Sequence, residues 1–425
     1  MRFFYIRMMN IKELHQLYLE TYLVDTDTRK IREGSIFFAL KGDNFNGNKF
    51  AQQALDKGAR FAVVDESAYA TDDRIILVDD VLSSLQALAN FHRRSLDIPI
   101  ISLTGSNGKT TTKELIHAVL KQQYNAKATS GNLNNHIGVP LTLLSFTNET
   151  EIGIVEMGAN HQKEIEFLSN IAEPNFGYIT NFGKAHLEGF GGVEGVIKGK
   201  SELYTFLRTH QRTAFVNPKD EKQLELTQGI DRILFDEDFE VIETHPFVSI
   251  RFQKTVIQTQ LVGAYNVSNM MAAITIGKHF NVSDEQIEDA IEQYVPTNNR
   301  SQLITKQKNK ILLDAYNANP SSVALALENF QLVSHPKKIV ILGDMFELGK
   351  DAHMEHQAMV HLAQALDFHR CIFVGENYHR TNADEKFSSF NDLKAQLEKN
   401  PIQDAFLLIK GSRGMALERL LELVD

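Results

Sequence analysis

The sequence is poor in cysteine and in long apolar runs, and both shortages limit what the protein is. Its 425 residues include 1 cysteine, Cys371, so an internal disulfide and a cysteine-based metal cluster are excluded. This cysteine usage is typical of a reducing cytosol. No apolar run approaches the ~18 residues of a membrane-spanning helix, and residues 1–7 are too short and too charged for a signal peptide. We therefore expect a cytoplasmic protein with no membrane contact.

Positive charge is also scarce. The chain has 44 Lys+Arg against 54 Asp+Glu, which gives a formal net charge of -10. This balance argues against a nucleic-acid partner held by a broad basic face. Any anionic substrate must instead meet local positive charge, for which the candidates are Lys109, Arg300, Lys410 and Arg413.

The chain is longer than one hydrophobic core usually supports, so two or three domains are expected. Short apolar strands alternate with helices throughout, and this alternation predicts an α/β fold. We divide the chain into an N-terminal α/β substrate domain at residues 1–97, a central domain at 98–297 and a C-terminal Rossmann-like α/β domain at 298–425. The central domain is expected to hold a mainly parallel sheet with helices on both faces, and its ligands should bind beyond the carboxyl ends of the strands.

A glycine-bounded loop between an apolar strand and a helix is the most informative segment. Residues 100–114 read IISLTGSNGKTTTKE. Glycines let backbone N–H groups point at phosphate oxygens, and the helix N-terminus adds partial positive charge. Leu103 stands where the general pattern has its first glycine, so a GTPase or kinase loop fits poorly. We predict a P-loop-type ATPase site with ATP bound by Gly105, Ser106, Asn107, Gly108, Lys109, Thr110 and Thr111; the alternative is a surface turn with a solvated lysine.

Two further polar residues follow strands of the predicted central sheet. Glu156 ends an apolar strand and is suited to bind Mg²⁺ together with the Thr110 hydroxyl, because hard cations take oxygen ligands. A capping or salt-bridging glutamate is the alternative. His186 lies in a glycine-rich loop after the next strand, where it is either a solvated side chain or a second group that faces metal or phosphate.

Helical spacing singles out two more pairs of residues. Asn266 and Asn269 are three residues apart, so both amides share a helix face and are able to bond a base or a phosphate. A helix cap is the alternative for Asn266. Lys198 and Lys200, by spacing alone, belong to a solvated helix face.

Taken together, these motifs resemble the Mur ligase family, whose members join a carboxylate to an amine with ATP. The resemblance runs from the first domain to the last and rests on the loop at 104–111, the two asparagines at 266 and 269, and the segments 131–140, 156–161, 314–321, 342–349 and 410–413. It implies that Lys200 is carbamylated and holds a second Mg²⁺ with His186. It also implies that Arg300 reaches the transferred phosphate and that Asp314 contacts the nucleotide and its ribose.

Several segments resemble the branch of this family that adds D-alanyl-D-alanine to UDP-MurNAc-tripeptide. In the first domain, the resemblance assigns the UDP-sugar to Thr28, Arg29, Ser35 and Asn46, although Thr28 replaces a serine and residues 46–48 depart from the family's usual Asp-Gly-His. In the third domain, strand ends carry Asp344, Lys410, Ser412 and Arg413, which we expect to bind the zwitterionic acceptor. A monomer with small-molecule substrates only is expected.

The implied reaction solves the problem that a carboxylate is a poor electrophile. ATP phosphorylates the terminal carboxylate, and the free amine of the dipeptide attacks the acyl phosphate. Three alternatives stay open at this point: a ligase that adds a different amino acid to the same precursor, a folylpolyglutamate synthase, and a nucleotide-dependent switch without catalysis. The Asp344 loop and the Lys410–Arg413 turn argue against the first, and an N-terminal sugar-nucleotide domain argues against the second.

Overall fold

The structure is a computed structural model that describes residues 9–236, 239–297 and 299–424. The expected domain limits at residues 1, 298 and 425 lie outside these ranges. Over the described ranges, no helix combines the length and the apolar character needed to cross a membrane.

The first part of the chain is a small parallel sheet with helices against it. Its strands are β1 (Val24–Asp25), β2 (Ile36–Phe38), β3 (Lys41–Gly42), β4 (Phe45–Asn46), β5 (Phe61–Val64) and β6 (Ile75–Leu77), and its helices are α1 (Ile11–Leu19), α2 (Ala51–Asp56) and α3 (Val81–Leu96). The sheet order is β1-β2-β5-β6, with all neighbours parallel, and β3 and β4 form a separate antiparallel pair. Asp80 caps α3, which then packs against helices of the second part.

The second part contains a parallel sheet of order β12-β11-β10-β7-β9-β8 and a small antiparallel sheet of order β13-β14-β15. Its strands are β7 (Ile100–Thr104), β8 (Ala126–Ala128), β9 (Ile152–Glu156), β10 (Phe176–Ile179), β11 (Thr213–Val216), β12 (Asp231–Leu234), β13 (Phe239–Glu243), β14 (Ser249–Phe252) and β15 (Thr255–Gln258). Its helices are α4 (Lys109–Leu120), α5 (Gly138–Leu143), α6 (Glu164–Ala172), α7 (Leu187–Phe190), α8 (Val193–Lys200), α9 (Glu202–Thr209), α10 (Glu221–Leu226), α11 (Asn266–His279) and α12 (Asp284–Glu292).

Strand β7 shows why this sheet carries helices on both faces. All of its residues are buried, as expected for a strand covered on two sides. Ile100 packs into one apolar cluster with residues of α5, α6 and α9, whereas Ile101 and Leu103 pack into a second cluster with residues of α4, α11 and α12. The alternation of side chains along a strand therefore feeds two hydrophobic cores.

The third part repeats the plan with sheet order β16-β17-β21-β18-β19-β20, in which β16 is antiparallel to β17 and the other neighbours are parallel. Its strands are β16 (Gln302–Lys306), β17 (Asn309–Asp314), β18 (Lys338–Gly343), β19 (Arg370–Val374), β20 (Lys386–Phe387) and β21 (Phe406–Lys410). Its helices are α13 (Pro320–Gln331), α14 (Ala352–Ala365), α15 (Glu376–His379) and α16 (Phe390–Lys399). The predicted three-part α/β architecture is confirmed.

Sheet register brings the predicted loops to one place. Leu103 of β7 pairs with Glu156 of β9, and Thr104 pairs with Ile179 of β10. The carboxyl ends of these strands therefore meet at one edge, directly below the glycine-bounded loop. This edge faces the third part of the chain and defines the functional site.

Candidate active site

Two glycines of the loop after β7 are required by its shape. Gly105 has a φ of +144°, and a Cβ added there would lie 2.0 Å from Thr180 Oγ1. Gly108 has a φ of +78°, and a Cβ there would lie 2.8 Å from Asn269 Oδ1. Glycine alone adopts such backbone angles without strain and leaves this space free. The loop is thereby folded tightly between β10 and α11.

Lys109 is the first residue of α4, and its side chain folds back over the loop. Its Nζ donates hydrogen bonds to Gly105 O at 2.6 Å and to Ser106 O at 3.3 Å. Burial lowers the pKa of Lys109 to about 8; the positive charge of Arg300 acts in the same direction, while Glu156 opposes it. The solvated-lysine alternative is wrong, since this cation is held by its own loop.

Thr110 and Glu156 meet at the base of the loop. Thr110 Oγ1 donates to Glu156 Oε2 at 3.0 Å, and Asn134 Nδ2 donates to Glu156 Oε1 at 2.8 Å. Both residues are almost fully buried, at 2% and 1% exposure. Glu156 makes no salt bridge to any described residue, so the salt-bridge alternative is wrong.

This donor set fits Mg²⁺. A hydroxyl and a carboxylate supply hard oxygen ligands, and Mg²⁺ in phosphate sites commonly takes one or two protein oxygens, with phosphates and water completing its shell. Over the described residues, no group of three or more His, Cys, Asp or Glu side chains is arranged to hold a metal ion. The site therefore suits an ion bound together with a nucleotide rather than a closed protein cage.

The two asparagines of α11 face the loop. Asn269 Nδ2 donates to Asn266 Oδ1 at 2.9 Å, and Thr112 Oγ1 donates to Asn269 Oδ1 at 3.0 Å. Asn266 Nδ2 donates to Val262 O at 2.8 Å. Tyr265 occupies the N-cap position, so the cap alternative for Asn266 is wrong.

Arg300 and Asp314 approach the same space from the linker and from β17. The Arg300 guanidinium stacks 3.7 Å from the centre of the Tyr316 ring, and its buried Nε has no hydrogen-bond partner within the described ranges. Asp314 accepts hydrogen bonds from Ser301 N at 3.2 Å and from Lys410 Nζ at 2.6 Å. A buried arginine nitrogen without an acceptor is suited to an anionic ligand.

His186 lies where the second and third parts meet. Its Nδ1 makes a short hydrogen bond to Glu347 Oε2, which lowers the pKa of the Glu347 carboxyl. His186 also borders the cavity described below. Its position therefore agrees with a ligand-facing role, but its present partner is a carboxylate of the third part.

Lys200 is fully buried at the end of α8, at 0% exposure. Its Nζ donates to Ala159 O at 3.1 Å and lies 5.0 Å from the centre of the Phe190 ring. Burial, followed by repulsion from Lys109, holds the pKa of Lys200 well below its ordinary value. The solvated-face interpretation is wrong. Ala159, rather than Lys200 itself, borders the cavity.

The acceptor residues require one correction. Asp344 is 2% exposed, and its carboxylate accepts hydrogen bonds from Asn377 N and Tyr378 N at 3.0 Å each. It stabilises the start of α15 with both carboxylate oxygens and does not border the cavity described below, so its expected acceptor contact is wrong. The sequence could not reveal this because the strand end alone does not say which way the side chain turns.

The turn after β21 contains both buried and exposed residues. Ser412 Oγ accepts a hydrogen bond from Phe346 N at 2.9 Å and is buried. Lys410 is also buried and borders the cavity beside Asp314. The Arg413 side chain is 62% exposed and pairs with Glu418 at 3.3 Å.

The expected UDP-sugar residues lie in the first part, away from the central cavity. Arg29 is exposed and pairs with Asp27 at 2.6 Å. The Thr28 carbonyl accepts a hydrogen bond from Lys57, and Asn46 binds Asn48 and Glu66. Ser35 is buried at 0% exposure, and its sugar contact stays a prediction.

One cavity of about 750 Å³ joins these features. The nucleotide loop, the two asparagines of α11, Arg300 and Asp314 line one region, and residues 132–136 and 160–168 line another. Site residues that the sequence analysis did not select are Asn134, Tyr316 and Asn319, whose Nδ2 donates to Asn107 Oδ1 at 2.8 Å. All three lie inside segments that carried the family resemblance, which was the available signal.

Comparison with known proteins identifies the class. Models described as the Mur ligase family catalytic domain, the Mur ligase middle domain and the Mur ligase glutamate ligase domain match residues 20–93, 103–277 and 299–413. The chain belongs to the Mur ligase family.

Its relatives within that family carry a common name. The chain is 33% identical to the UDP-N-acetylmuramoyl-tripeptide--D-alanyl-D-alanine ligase of Bacillus subtilis, over 94% of this chain and 92% of that protein. It is 32% identical to the ligase of that name from Escherichia coli, over 93% and 92%. Among solved structures, MurF from Acinetobacter baumannii superposes with a TM-score of 0.82 at 30% identity, over 94% of this chain and 92% of that one.

Proposed function

We propose that this protein is an ATP-dependent carboxylate–amine ligase that adds D-alanyl-D-alanine to UDP-N-acetylmuramoyl-tripeptide. The product, a UDP-MurNAc-pentapeptide, is a peptidoglycan precursor. The observation that carries the proposal is that the phosphate loop and Arg300 line one cavity, to which the third part of the chain also contributes. The substrate assignment follows from the names of the relatives described above.

At the nucleotide site, the main task of the protein is to neutralise the negative charge of the phosphates. Lys109 would exchange its bonds to the loop carbonyls for contacts with the terminal phosphates. The Nε of Arg300, which has no hydrogen-bond partner among the described residues, would donate to the transferring phosphoryl group. Asn266 and Asn269 would contact the base or phosphates, and Asp314 the ribose. A fixed cation on each side of the phosphoryl group stabilises the charge spread over its oxygens in the transition state.

Thr110 and Glu156 would hold the first Mg²⁺. An ion held by these two residues would supply positive charge that favours phosphoryl transfer to the substrate carboxylate. The resulting acyl phosphate reacts with the neutral amine of the dipeptide, and the former carboxylate oxygen leaves with the phosphate. The protein positions the two reactants, which removes most of the entropic cost of their encounter.

Lys200 and His186 would hold a second Mg²⁺ once Lys200 is carbamylated. Burial lowers the pKa of Lys200 and so favours the neutral amine, which is the form that attacks the carbon of CO₂. The N–C bond forms as one C=O π bond of CO₂ breaks and the nitrogen releases a proton to water, so the neutral amine becomes an anion with two oxygen donors. The hydrogen bond from Nζ to Ala159 O places this amine next to a residue that borders the cavity.

The remaining roles follow the division into three domains at residues 1–97, 98–297 and 298–425. Thr28, Arg29 and Asn46 would bind the UDP-sugar in the first domain. In the third, Arg413 and Lys410 would meet the dipeptide carboxylate, with Ser412 fixing their turn. Because UDP-sugars and ATP are cytoplasmic metabolites, we place the reaction in the cytoplasm. A monomer is sufficient, since one chain supplies every group named here.

An acceptor panel tests the proposal. The protein is incubated with ATP, Mg²⁺ and UDP-MurNAc-tripeptide, and then with D-alanyl-D-alanine, D-glutamate, L-lysine or diaminopimelate in separate reactions. We expect the mass of the pentapeptide product only with the dipeptide. Efficient ligation of a single amino acid would refute the acceptor assignment and leave the ligase class intact.

A further inference from the structure

A short loop after β10 links the nucleotide site to the third part of the chain. It comprises residues 181–186 and is called the bridging loop below. Ser106 Oγ donates to Gly183 O at 2.7 Å, so the bridging loop rests directly on the phosphate loop. His186 at its far end borders the cavity. A residue that holds this loop against the third part therefore controls how the second and third parts meet at the site.

Lys184 is the residue of the bridging loop that contacts two helices of the third part. Its Nζ lies 2.6 Å from Glu355 Oε1 on α14. Its backbone N donates to Ser321 Oγ on α13 at 2.8 Å. One residue thus uses both its charge and its backbone to hold the third part.

The burial of Glu355 makes its ion pair with Lys184 important for the docking of the third part. The Glu355 side chain is 6% exposed, whereas that of Lys184 is 47% exposed. A buried carboxylate that loses its cation keeps the cost of desolvation without compensation. Separation of the third part from the bridging loop would break this contact between opposite charges.

Close packing beside Lys184 supports the same conclusion. A Cβ added to Gly183 would lie 2.9 Å from Asn107 Nδ2 and 3.0 Å from Ser321 Oγ. Asn319, which lies at the same end of α13 as Ser321, donates a hydrogen bond from its Nδ2 to Asn107 Oδ1 at 2.8 Å. The phosphate loop, the bridging loop and the start of α13 are thus in mutual contact around this point.

We propose that Lys184 is a positioning residue that docks the third part onto the nucleotide site through its pair with buried Glu355. The inference rests on the proposed ligase function, because the docked arrangement is the one in which acceptor and nucleotide share a cavity. Neither Lys184 nor Glu355 borders the cavity. Its effect is to raise the fraction of molecules in which the acceptor groups face the phosphate loop.

The first test compares Lys184→Met with Lys198→Met, which removes an exposed lysine of α8. For Lys184→Met we expect the KM for D-alanyl-D-alanine to rise about tenfold, the value for 1.4 kcal/mol of lost docking energy. The Kd for ADP should rise less than the dipeptide KM, because the glycines and asparagines around that loop belong to the second part and the third part adds only Asp314 to the proposed nucleotide contacts. Lys198→Met should match the wild type in both. An unchanged dipeptide KM in Lys184→Met would overturn the proposal.

A charge exchange separates docking from general stability. Lys184→Glu should impair the reaction more than Lys184→Met, because it places two carboxylates together. The double variant K184E/E355K should recover much of the loss, since it restores opposite charges at the same contact. A double variant no better than Lys184→Glu would contradict the ion-pair mechanism.

Small-angle X-ray scattering provides a readout that needs no turnover. We expect a larger radius of gyration for Lys184→Met and Lys184→Glu than for the wild type, with recovery in the double variant. If the wild type proves inactive with every acceptor, the proposed function fails, yet these scattering profiles still decide whether the pair docks the third part. Identical profiles in all variants would refute the docking role.

Discussion

The ammonium of Lys109 is held by two carbonyl oxygens of its own loop. Its two carbonyl partners and its lowered pKa have one origin, the burial of the ammonium in a tight turn. A phosphate group would replace weak neutral acceptors with a full negative charge. Nucleotide binding and protonation of Lys109 are therefore coupled.

This coupling predicts a pH dependence of ADP affinity. Lys109 of the free protein loses its proton as the pH rises through about 8, and the neutral amine attracts phosphate poorly. The Kd for ADP should then increase by up to about tenfold per pH unit above that value. Lys109→Arg keeps its charge throughout this range, so its Kd, measured by calorimetry from pH 7 to pH 9.5, should stay nearly flat. A wild-type Kd independent of pH would contradict the coupling.

Lys200 yields a second prediction at the scale of one residue. If its carbamate supplies an anionic ligand, Lys200→Ala should lose most activity, and added short carboxylates should restore part of it. Phosphate release measured with and without acetate or formate provides the comparison. Lys198→Ala, two residues earlier on an exposed face, is the matched control. A fully active Lys200→Ala protein would show that this lysine is structural.

At the scale of elements, helices α1 and α3 fasten the first part to the second through a buried pair of histidines. Carbonyl oxygens only accept, so the contact of His92 Nε2 with Phe146 O at 3.0 Å places a proton on Nε2. His92 Nδ1 is then an acceptor for His15 Nε2, 3.1 Å away. Burial lowers the pKa of His92 to about 4, so this ring is neutral near pH 7, and burial also lowers the pKa of His15.

Acid should therefore weaken this attachment. The folded-state pKa of His92 lies below the ordinary value of 6.5, so the unfolded chain binds the proton first as the pH falls. Stability present above pH 6.5 is lost on the way to pH 4, by about 2 kcal/mol between pH 7 and pH 5. Urea unfolding followed by circular dichroism should show this slope reduced in His92→Gln and retained in His210→Gln, whose histidine is exposed. Equal slopes in all three proteins would contradict the assignment.

The elements were largely predictable, whereas the direction of single side chains was not. Strand β7 and the glycines after it, which together define the phosphate loop, were predictable. An apolar run and the glycines that permit positive φ angles are both visible in a short stretch of sequence. The burial of Lys200 depends on which face of α8 meets Phe190, and the inward turn of Asp344 depends on α15. Both are tertiary contacts, so spacing alone wrongly predicted a solvated face for Lys200, and the strand end wrongly predicted an acceptor contact for Asp344.

At the scale of the whole molecule, the site exists only where the second and third parts meet. Register places the carboxyl ends of β7, β9 and β10 together, which could be anticipated from a parallel sheet. The hydrogen bond from Asn319 to Asn107 joins residues far apart in the chain, and Arg300 stacks on Tyr316 across the β16–β17 hairpin. Such pairs leave no periodic trace in sequence, and they were recoverable only through family motifs.

The exposed turn after β21 gives a prediction for the acceptor. Arg413→Ala should raise the KM for D-alanyl-D-alanine by about tenfold or more and leave the KM for ATP within about twofold, because it removes a contact to one substrate. Steady-state kinetics with each substrate varied in turn provide both values. Arg419→Ala, another basic residue near this turn, serves as the control. If Arg413 only pairs with Glu418, its loss should reduce stability while both KM values stay unchanged.

Transfer of a carboxylate oxygen to phosphate tests the central claim most directly. UDP-MurNAc-tripeptide labelled with ¹⁸O in its terminal carboxylate is incubated with the protein, ATP, Mg²⁺ and D-alanyl-D-alanine, and the released phosphate is analysed by mass spectrometry. An acyl phosphate intermediate predicts one labelled oxygen in each phosphate formed from fully labelled substrate, and release only when the dipeptide is present. Unlabelled phosphate, or phosphate released without the dipeptide at the same rate, would contradict the account.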